Sequence, residues 1–174
     1  MKISPLVVLA LCLACTPTPG ADADGPDAKL ARFIREPETV RIFSARPVPV
    51  PPGQDAGTQP VKWTRAGSFG FTHEGPVLTE AERQALAKSW VPPQDVKKDK
   101  RGRLMCSFSH DIALRFQRGD TWVDAVVCFT CGEVLFFNEK REGLDGGTFK
   151  FPLLGQLTDQ AFPGEKFGNA RDDW

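Results

Sequence analysis

The sequence lacks an excess of charge of either sign. Its 22 Lys and Arg residues balance 22 Asp and Glu residues, so the formal net charge is zero. A nucleic-acid-binding domain usually carries a basic face, and the balance therefore argues against a nucleic acid as the partner. The apolar fraction of 41% is ordinary for a globular protein, and the length favours one domain.

Sequence motifs of several enzyme classes are also missing. The chain contains no Gly-x-Ser-x-Gly elbow, no phosphate-binding loop and no dinucleotide fingerprint. Acidic side chains are plentiful, but they are not clustered enough to nominate a catalytic pair. We therefore expect a protein without enzymatic activity.

Long apolar runs are absent as well, because a membrane-spanning helix needs about 20 residues. The short apolar stretch 3–14 follows Lys2 and ends in Cys12-Leu13-Ala14-Cys15. A small residue followed by cysteine at the end of such a stretch resembles the bacterial lipobox. We expect residues 1–14 to be a signal peptide and Cys15 to carry the lipid, since several acyl chains together hold a protein firmly to a membrane.

Two features qualify this export signal. Cys12 stands where a lipobox usually has leucine, and the small-x-small sequence Ala21-Asp22-Ala23 offers ordinary cleavage to a soluble protein as the alternative. Thr16 follows Cys15, so the aspartate that retains lipoproteins at the inner membrane is missing. The predicted location is the cell envelope, with a lipid anchor in the outer membrane and the domain facing the periplasm or the surface.

Composition divides the rest of the chain. Residues 15–28 are rich in Pro, Gly and Asp and predict a flexible tether. A single globular domain is expected over residues 29–168, with a Pro-rich loop at 45–60. The polar end, 169–174, is expected to be a frayed tail.

The strongest structural pattern is a β-hairpin between residues 112 and 129. Apolar and other residues alternate on both sides of Gly119-Asp120, which suits a two-residue turn with glycine first. The resulting register places Phe116 opposite Val123 on an apolar face, with Leu114 opposite Ala125 and Ile112 opposite Val127. On the other face it places Arg115 opposite Asp124, a favourable cross-strand charge pair.

Other elements have clear local signals. Thr79-Glu80-Ala81-Glu82 is a capping box that begins a helix, and Pro92-Pro93 ends it. Further strands are predicted at 39–43, 134–138 and 148–151. A second helix is predicted from Pro152 to Ala161. Together these elements predict an α+β domain, an antiparallel β-meander with two flanking amphipathic helices.

Three cysteines remain if Cys15 is lipidated: Cys106, Cys128 and Cys131. The oxidising envelope favours a structural disulfide. It would join Cys128 to Cys131 across a turn, or Cys106 to one of them, and would leave the third sulfur as a free thiol. Alternatives are a redox-active Cys128-x2-Cys131 or a zinc site formed by Cys106, His110, Cys128 and Cys131. We otherwise expect no cofactor.

A nucleophilic arrangement is the remaining chemical alternative. His110-Asp111 follows Cys106 closely enough for the histidine to act as a base beside the thiol. A loop histidine next to a turn-forming aspartate explains the same residues without catalysis, and we favour that explanation.

The segment from residue 105 to residue 135 resembles a group of uncharacterised bacterial exported lipoproteins. The resemblance is carried by Cys106-Ser107-Phe108, Ala113-Leu114-Arg115-Phe116 and Cys128-Phe129-Thr130-Cys131. It implies a shared domain but no activity. The expected function is thus a membrane-anchored envelope module that binds an unknown envelope protein or small ligand. The alternative is a thiol-redox or zinc protein.

Overall fold

A computed structural model describes residues 26–45, 64–96 and 108–167 of the chain. The predicted signal peptide, Cys15, the tether up to residue 25, the Pro-rich loop beyond residue 45, Cys106 and the tail lie outside these ranges. Within them the chain forms three α-helices and a mainly antiparallel sheet. The predicted α+β class is confirmed.

The α-helices are α1 (Pro26–Arg35), α2 (Glu80–Ser89) and α3 (Phe151–Ala161). The strands are β1 (Thr39–Ser44), β2 (Thr64–Ala66), β3 (Phe69–Phe71), β4 (His73–Val77), β5 (Ile112–Arg118), β6 (Thr121–Cys128), β7 (Glu133–Asn138) and β8 (Gly143–Leu144). Six strands form one sheet in the order β4-β1-β5-β6-β7-β8, and β2 pairs with β3 as a separate hairpin. Strands β5, β6 and β7 belong to the predicted meander, whereas β8 lies in a segment for which the sequence predicts no strand.

The β5–β6 hairpin has the predicted register. Phe116 lies opposite Val123 and Arg115 lies opposite Asp124. Gly119 has a φ of 56° at the first turn position, a conformation that glycine adopts without the clash that a Cβ atom causes. The alternation of the two strands and the chemistry of the turn therefore specify the same pairing.

The capping box of α2 is also confirmed. The Thr79 hydroxyl accepts a hydrogen bond from the Glu82 amide, and the Glu82 carboxylate accepts one from the Thr79 amide at 2.7 Å. These two bonds satisfy amides that have no partner inside the helix.

The predicted strand at 148–151 is wrong. Thr148 makes only an isolated bridge with Val91, and Phe151 already begins α3. Pro152 occupies the first helical turn, where its missing N–H costs nothing. The helix therefore begins one residue before the proline and replaces the end of the expected strand.

Helix α1 was not predicted. It begins at Pro26, three residues inside the segment assigned to the tether, and buries Leu30, Phe33 and Ile34 on one face. Their i, i+3, i+4 spacing is that of an amphipathic helix. Strands β2, β3 and β4 were not predicted either.

The two faces of the six-stranded sheet are covered differently. All three helices pack on the first face, which carries Ile112, Leu114 and Phe116, and this contact forms the main core. On the second face a smaller cluster joins Phe43, Ala113 and Val126 of the sheet to residues of the β2–β3 hairpin. A short hairpin covers less of a sheet than three helices, so the second face is the one that presents polar side chains around a groove.

None of the described helices is long and apolar enough to cross a membrane.

Candidate binding site

An ion pair lies on the second face of the sheet. Nε of Arg115 donates to Oδ1 of Asp124 at 2.7 Å, and Nη2 donates to Oδ2 at 2.9 Å. The Asp124 side chain is only 3% exposed, and burial of a carboxylate is costly unless it is paired. The parallel two-point geometry supplies the pairing that arginine makes best.

The environment of Asp124 shifts its proton affinity. Burial raises the pKa of the Asp124 carboxyl above its ordinary value of 3.8, although the side chains of Arg115 and Trp122 act in the opposite direction. Burial acts in this direction because it disfavours the charged form. The ion pair therefore only partly compensates for the loss of solvent around the carboxylate.

Aromatic rings hold the Arg115 guanidinium in place. Its Cζ atom lies 4.9 Å from the centre of the Trp122 ring and 5.5 Å from that of Phe43. Both distances are within the range of cation–π attraction. Nη2 also donates to the backbone carbonyl of Arg65 in β2 at 2.9 Å, which joins the separate hairpin to the main sheet.

A groove of about 490 Å³ opens over this ion pair. Its lining residues come from three parts of the chain, namely β2, the β5–β6 hairpin, and the end of β7 with the turn that follows it: Arg65, Arg115, Trp122, Asp124, Asn138, Glu139 and Arg141. The volume falls within the range of small-molecule sites. The lining is mostly polar and charged, so the groove suits a polar ligand.

The turn between β7 and β8 shapes one side of the groove. Oδ1 of Asn138 accepts hydrogen bonds from the amides of Lys140 and Glu142, at 3.0 and 2.9 Å. Arg141 closes the turn with a φ of 68°, and it is the only residue other than glycine with positive φ in the described ranges. Glycine or asparagine is the usual occupant of such a conformation.

A second cleft, of about 430 Å³, lies on the helical side between α1 and the segment after α2. Trp90 forms part of its wall, but the residue is only 8% exposed. Its Nε1 already donates to the carbonyl of Gly146 at 2.7 Å, and the Arg35 guanidinium covers its ring at 5.4 Å. These contacts satisfy the indole N–H and cover its ring within the fold.

The cysteine candidates are partly placed. Cys128 ends β6 as a buried free thiol, and its Sγ accepts a hydrogen bond from the Cys131 amide at 3.2 Å. Gly132, with a φ of 65°, completes the turn into β7. Cys131 is not a free thiol. The structure thus has a turn at Phe129-Thr130. Such a turn is what the sequence analysis requires for Cys128 and Cys131 to come close together.

His110 and Asp111 make separate contacts. The His110 ring packs 5.0 Å from the Phe69 ring and 5.6 Å from the Phe71 ring. The buried Asp111 carboxylate accepts a hydrogen bond from the Phe129 amide at 2.8 Å. His110 lies outside the helices and strands, as the loop interpretation expects, but Asp111 bonds to the backbone of Phe129, 18 residues along the chain, and not within a local turn.

His73 belongs to a cluster that the sequence did not predict. Ser44 donates to Oε2 of Glu165 at 2.7 Å, and Nδ1 of His73 lies 3.8 Å from Oε1 of the same carboxylate. Nδ1 is buried and has no hydrogen-bond partner among the described residues. The cluster links the segment after α3 to β1 and the edge strand β4.

The described ranges contain no group of three or more His, Cys, Asp or Glu side chains placed to hold a metal ion. Cys106 lies outside them, so the four-residue zinc site stays an untested alternative. Comparison with known proteins gives no family model, no curated protein and no solved structure that matches this chain. The resemblance to exported lipoproteins therefore stays a prediction.

The groove itself could not be read from the sequence. Arg65, Arg115 and Arg141 are far apart along the chain, and the β2–β3 hairpin that brings Arg65 over the sheet was not predicted. The one available signal is Arg115 opposite Asp124, a charge pair on the face opposite to the apolar one.

Proposed function

We propose that this protein is an exported lipoprotein, anchored through Cys15, whose domain binds a small ligand or an envelope partner without catalysing a reaction. The observation that carries the binding role is the groove over the Arg115–Asp124 pair. It combines a concave shape, the Trp122 ring and several charged groups that converge on one space, and convergent polar groups in a concave site are what fix the orientation of a small ligand.

The anchor is supported by the sequence. Ala14-Cys15 ends a short apolar stretch, and the ten residues from Thr16 to Gly25 that separate Cys15 from α1 have the composition of a linker. A lipid anchor and a binding groove suit a module that captures its ligand near the membrane.

The anchor is tested by metabolic labelling with palmitate and by membrane fractionation. We expect the parent chain to take up the label and to sediment with membranes, and Cys15→Ala to do neither. Cys12→Ala is the matched control, because it removes a cysteine three residues away and leaves Ala14-Cys15 intact. Membrane sedimentation of Cys15→Ala, or loss of label in Cys12→Ala alone, would contradict the proposal.

A thiol or zinc function is the second candidate. It is favoured by the free thiol of Cys128, which accepts a hydrogen bond from the amide of Cys131 within one tight turn. Mass spectrometry of the unreduced protein separates the two candidates. A mass two protons below the fully reduced value, with no zinc, supports the binding module. Three free thiols with one zinc per chain would support the second candidate.

A further inference from the structure

Cationic groups outnumber anionic ones on the walls of the groove. Three arginines, Arg65, Arg115 and Arg141, line it together with two carboxylates, Asp124 and Glu139. Asp124 is already bound at two points by Arg115. Arg65 and Arg141 are exposed, and neither guanidinium has a hydrogen-bond or ion-pair partner within the described parts of the chain.

Arg115 contributes a donor that is fixed in advance. Its Nε and Nη2 atoms are used by Asp124 and by the Arg65 carbonyl. Nη1 donates no hydrogen bond to any residue that the structure describes. The Arg115 side chain is still 21% exposed. Because the rings of Phe43 and Trp122 pack against its guanidinium, a ligand does not have to order this group on binding.

The backbone of Arg141 points to the same groove. Its φ of 68° is a conformation in which a Cβ atom is strained. The hydrogen bonds that close the turn use the Asn138 side chain and the amides of Lys140, Arg141 and Glu142. None of them needs an arginine side chain at position 141. Backbone strain of this kind is concentrated at functional sites, and the Arg141 side chain lines the groove.

We propose that the groove binds a small molecule with a carboxylate or phosphate group, held by Arg65, Arg141 and Nη1 of Arg115. Guanidinium groups match both of these anions through paired hydrogen bonds. The groove volume limits the ligand to about the size of a small metabolite, and the Trp122 side chain lies beside the anion to contact its apolar part. This inference rests on the proposed binding function and names the ligand class.

The test uses the full mature chain in detergent micelles and follows the indole N–H signal of Trp122 by ¹⁵N NMR. The signal is assigned from the Trp122→Phe variant. Sodium phosphate and sodium citrate are titrated separately, with sodium chloride at equal ionic strength as the reference. We expect a saturable shift from phosphate, from citrate or from both, and the active salt identifies the anion.

Two variants of one turn make the test specific. Arg141→Gly should weaken binding of the active anion by about tenfold or more, because a charge-assisted hydrogen bond is lost, while its melting temperature stays the same or rises. Lys140→Gln is the matched control: it removes a positive charge one residue away that does not line the groove. It should bind as the parent chain does.

Three results would overturn the inference: no saturable shift with either salt, unchanged affinity in Arg141→Gly, or equal weakening in Lys140→Gln. Palmitate labelling of the same preparation keeps the two proposals separate. A labelled protein that ignores both anions refutes the ligand class and retains the anchored module, whereas an unlabelled protein that binds an anion refutes the anchor alone.

Discussion

Arg115 and Asp124 face each other across the β5–β6 hairpin and form a two-point ion pair on the less covered face of the sheet. The same arginine also bonds to the backbone of β2 through the Arg65 carbonyl. One side chain therefore pairs with a buried charge, joins the β2–β3 hairpin to the sheet and forms the floor of the groove.

Loss of this arginine should destabilise the fold. We expect Arg115→Met to lower the free energy of unfolding by about 3 kcal/mol, because a buried carboxylate is left without its partner. Arg118→Met is the control on the same strand, where Arg118 contacts Glu36 at the exposed end of the hairpin. It should cost less than about 1 kcal/mol. Urea denaturation measures both values, and equal losses would contradict the role of the pair.

The raised pKa of Asp124 predicts a pH dependence of stability. Because burial places the folded-state pKa above the ordinary value of 3.8, the folded protein holds this proton more tightly than the unfolded chain. The contribution to stability is full below pH 3.8 and falls as the pH rises through the folded-state pKa.

Asp124→Asn removes the titration and keeps the shape of the side chain. The free energy of unfolding of the parent chain, relative to this variant, should decrease as the pH rises across that window and then become constant. Urea denaturation at a series of pH values measures the difference. A difference that grows with pH would show that Arg115 lowers the pKa of Asp124 by more than burial raises it.

Gly67 in the β2–β3 turn is required for close packing. Its φ is 58°, and an added Cβ atom would lie 2.7 Å from the Phe137 ring. We expect Gly67→Ala to cost about 1 kcal/mol from backbone strain and about 1–3 kcal/mol more from the steric clash.

Gly119→Ala separates these two causes. Gly119 has a similar φ of 56°, but an added Cβ would meet no atom within 4 Å. In the same denaturation experiment, Gly119→Ala should lose only the free energy of unfolding that backbone strain costs. Equal losses of the free energy of unfolding at the two positions would mean that the β2–β3 turn shifts to accommodate the added Cβ atom.

The cysteines should divide into one disulfide and one thiol. Cys128 is free and buried whereas Cys131 is not free, so we expect Cys131 to pair with Cys106. Under native conditions Cys128 should resist alkylation, and it should react once the chain is unfolded without reductant. Cleavage after Phe129 separates Cys128 from Cys131, and mass spectrometry should then find Cys131 linked to the peptide that contains Cys106. A Cys106–Cys128 link would contradict this pairing.

The sequence predicts the structure correctly where independent local signals agree. In the β5–β6 hairpin the alternation, the Gly119 turn and the Arg115–Asp124 pair all require one register, and the structure has it. The capping box at Thr79 succeeded because each of its bonds lies within three residues.

Local sequence patterns do not predict the structure where packing between distant parts of the chain decides it. Pro26 and the residues directly after it have the composition of a linker, yet they form the first turn of α1, a helix that buries Phe33 and Ile34 in the core. Likewise Phe149 was assigned to a strand, but it is buried beside the Phe116 ring in a segment without strand pairing. The groove depends on the position of β2 over the sheet, which no local pattern near Arg65 encodes.

The start of α1 at Pro26 sets a length scale for a protein anchored at Cys15. Only ten residues, 16–25, then separate the lipid from the first turn of the domain, and a fully extended chain of that length spans at most about 35 Å. Because α1 packs on the first face of the sheet, the linker joins the domain on its helical side and not on the side of the groove. An anchored domain would stay within a distance of the bilayer that is about the diameter of one small protein. Its own attachment would not obstruct the groove.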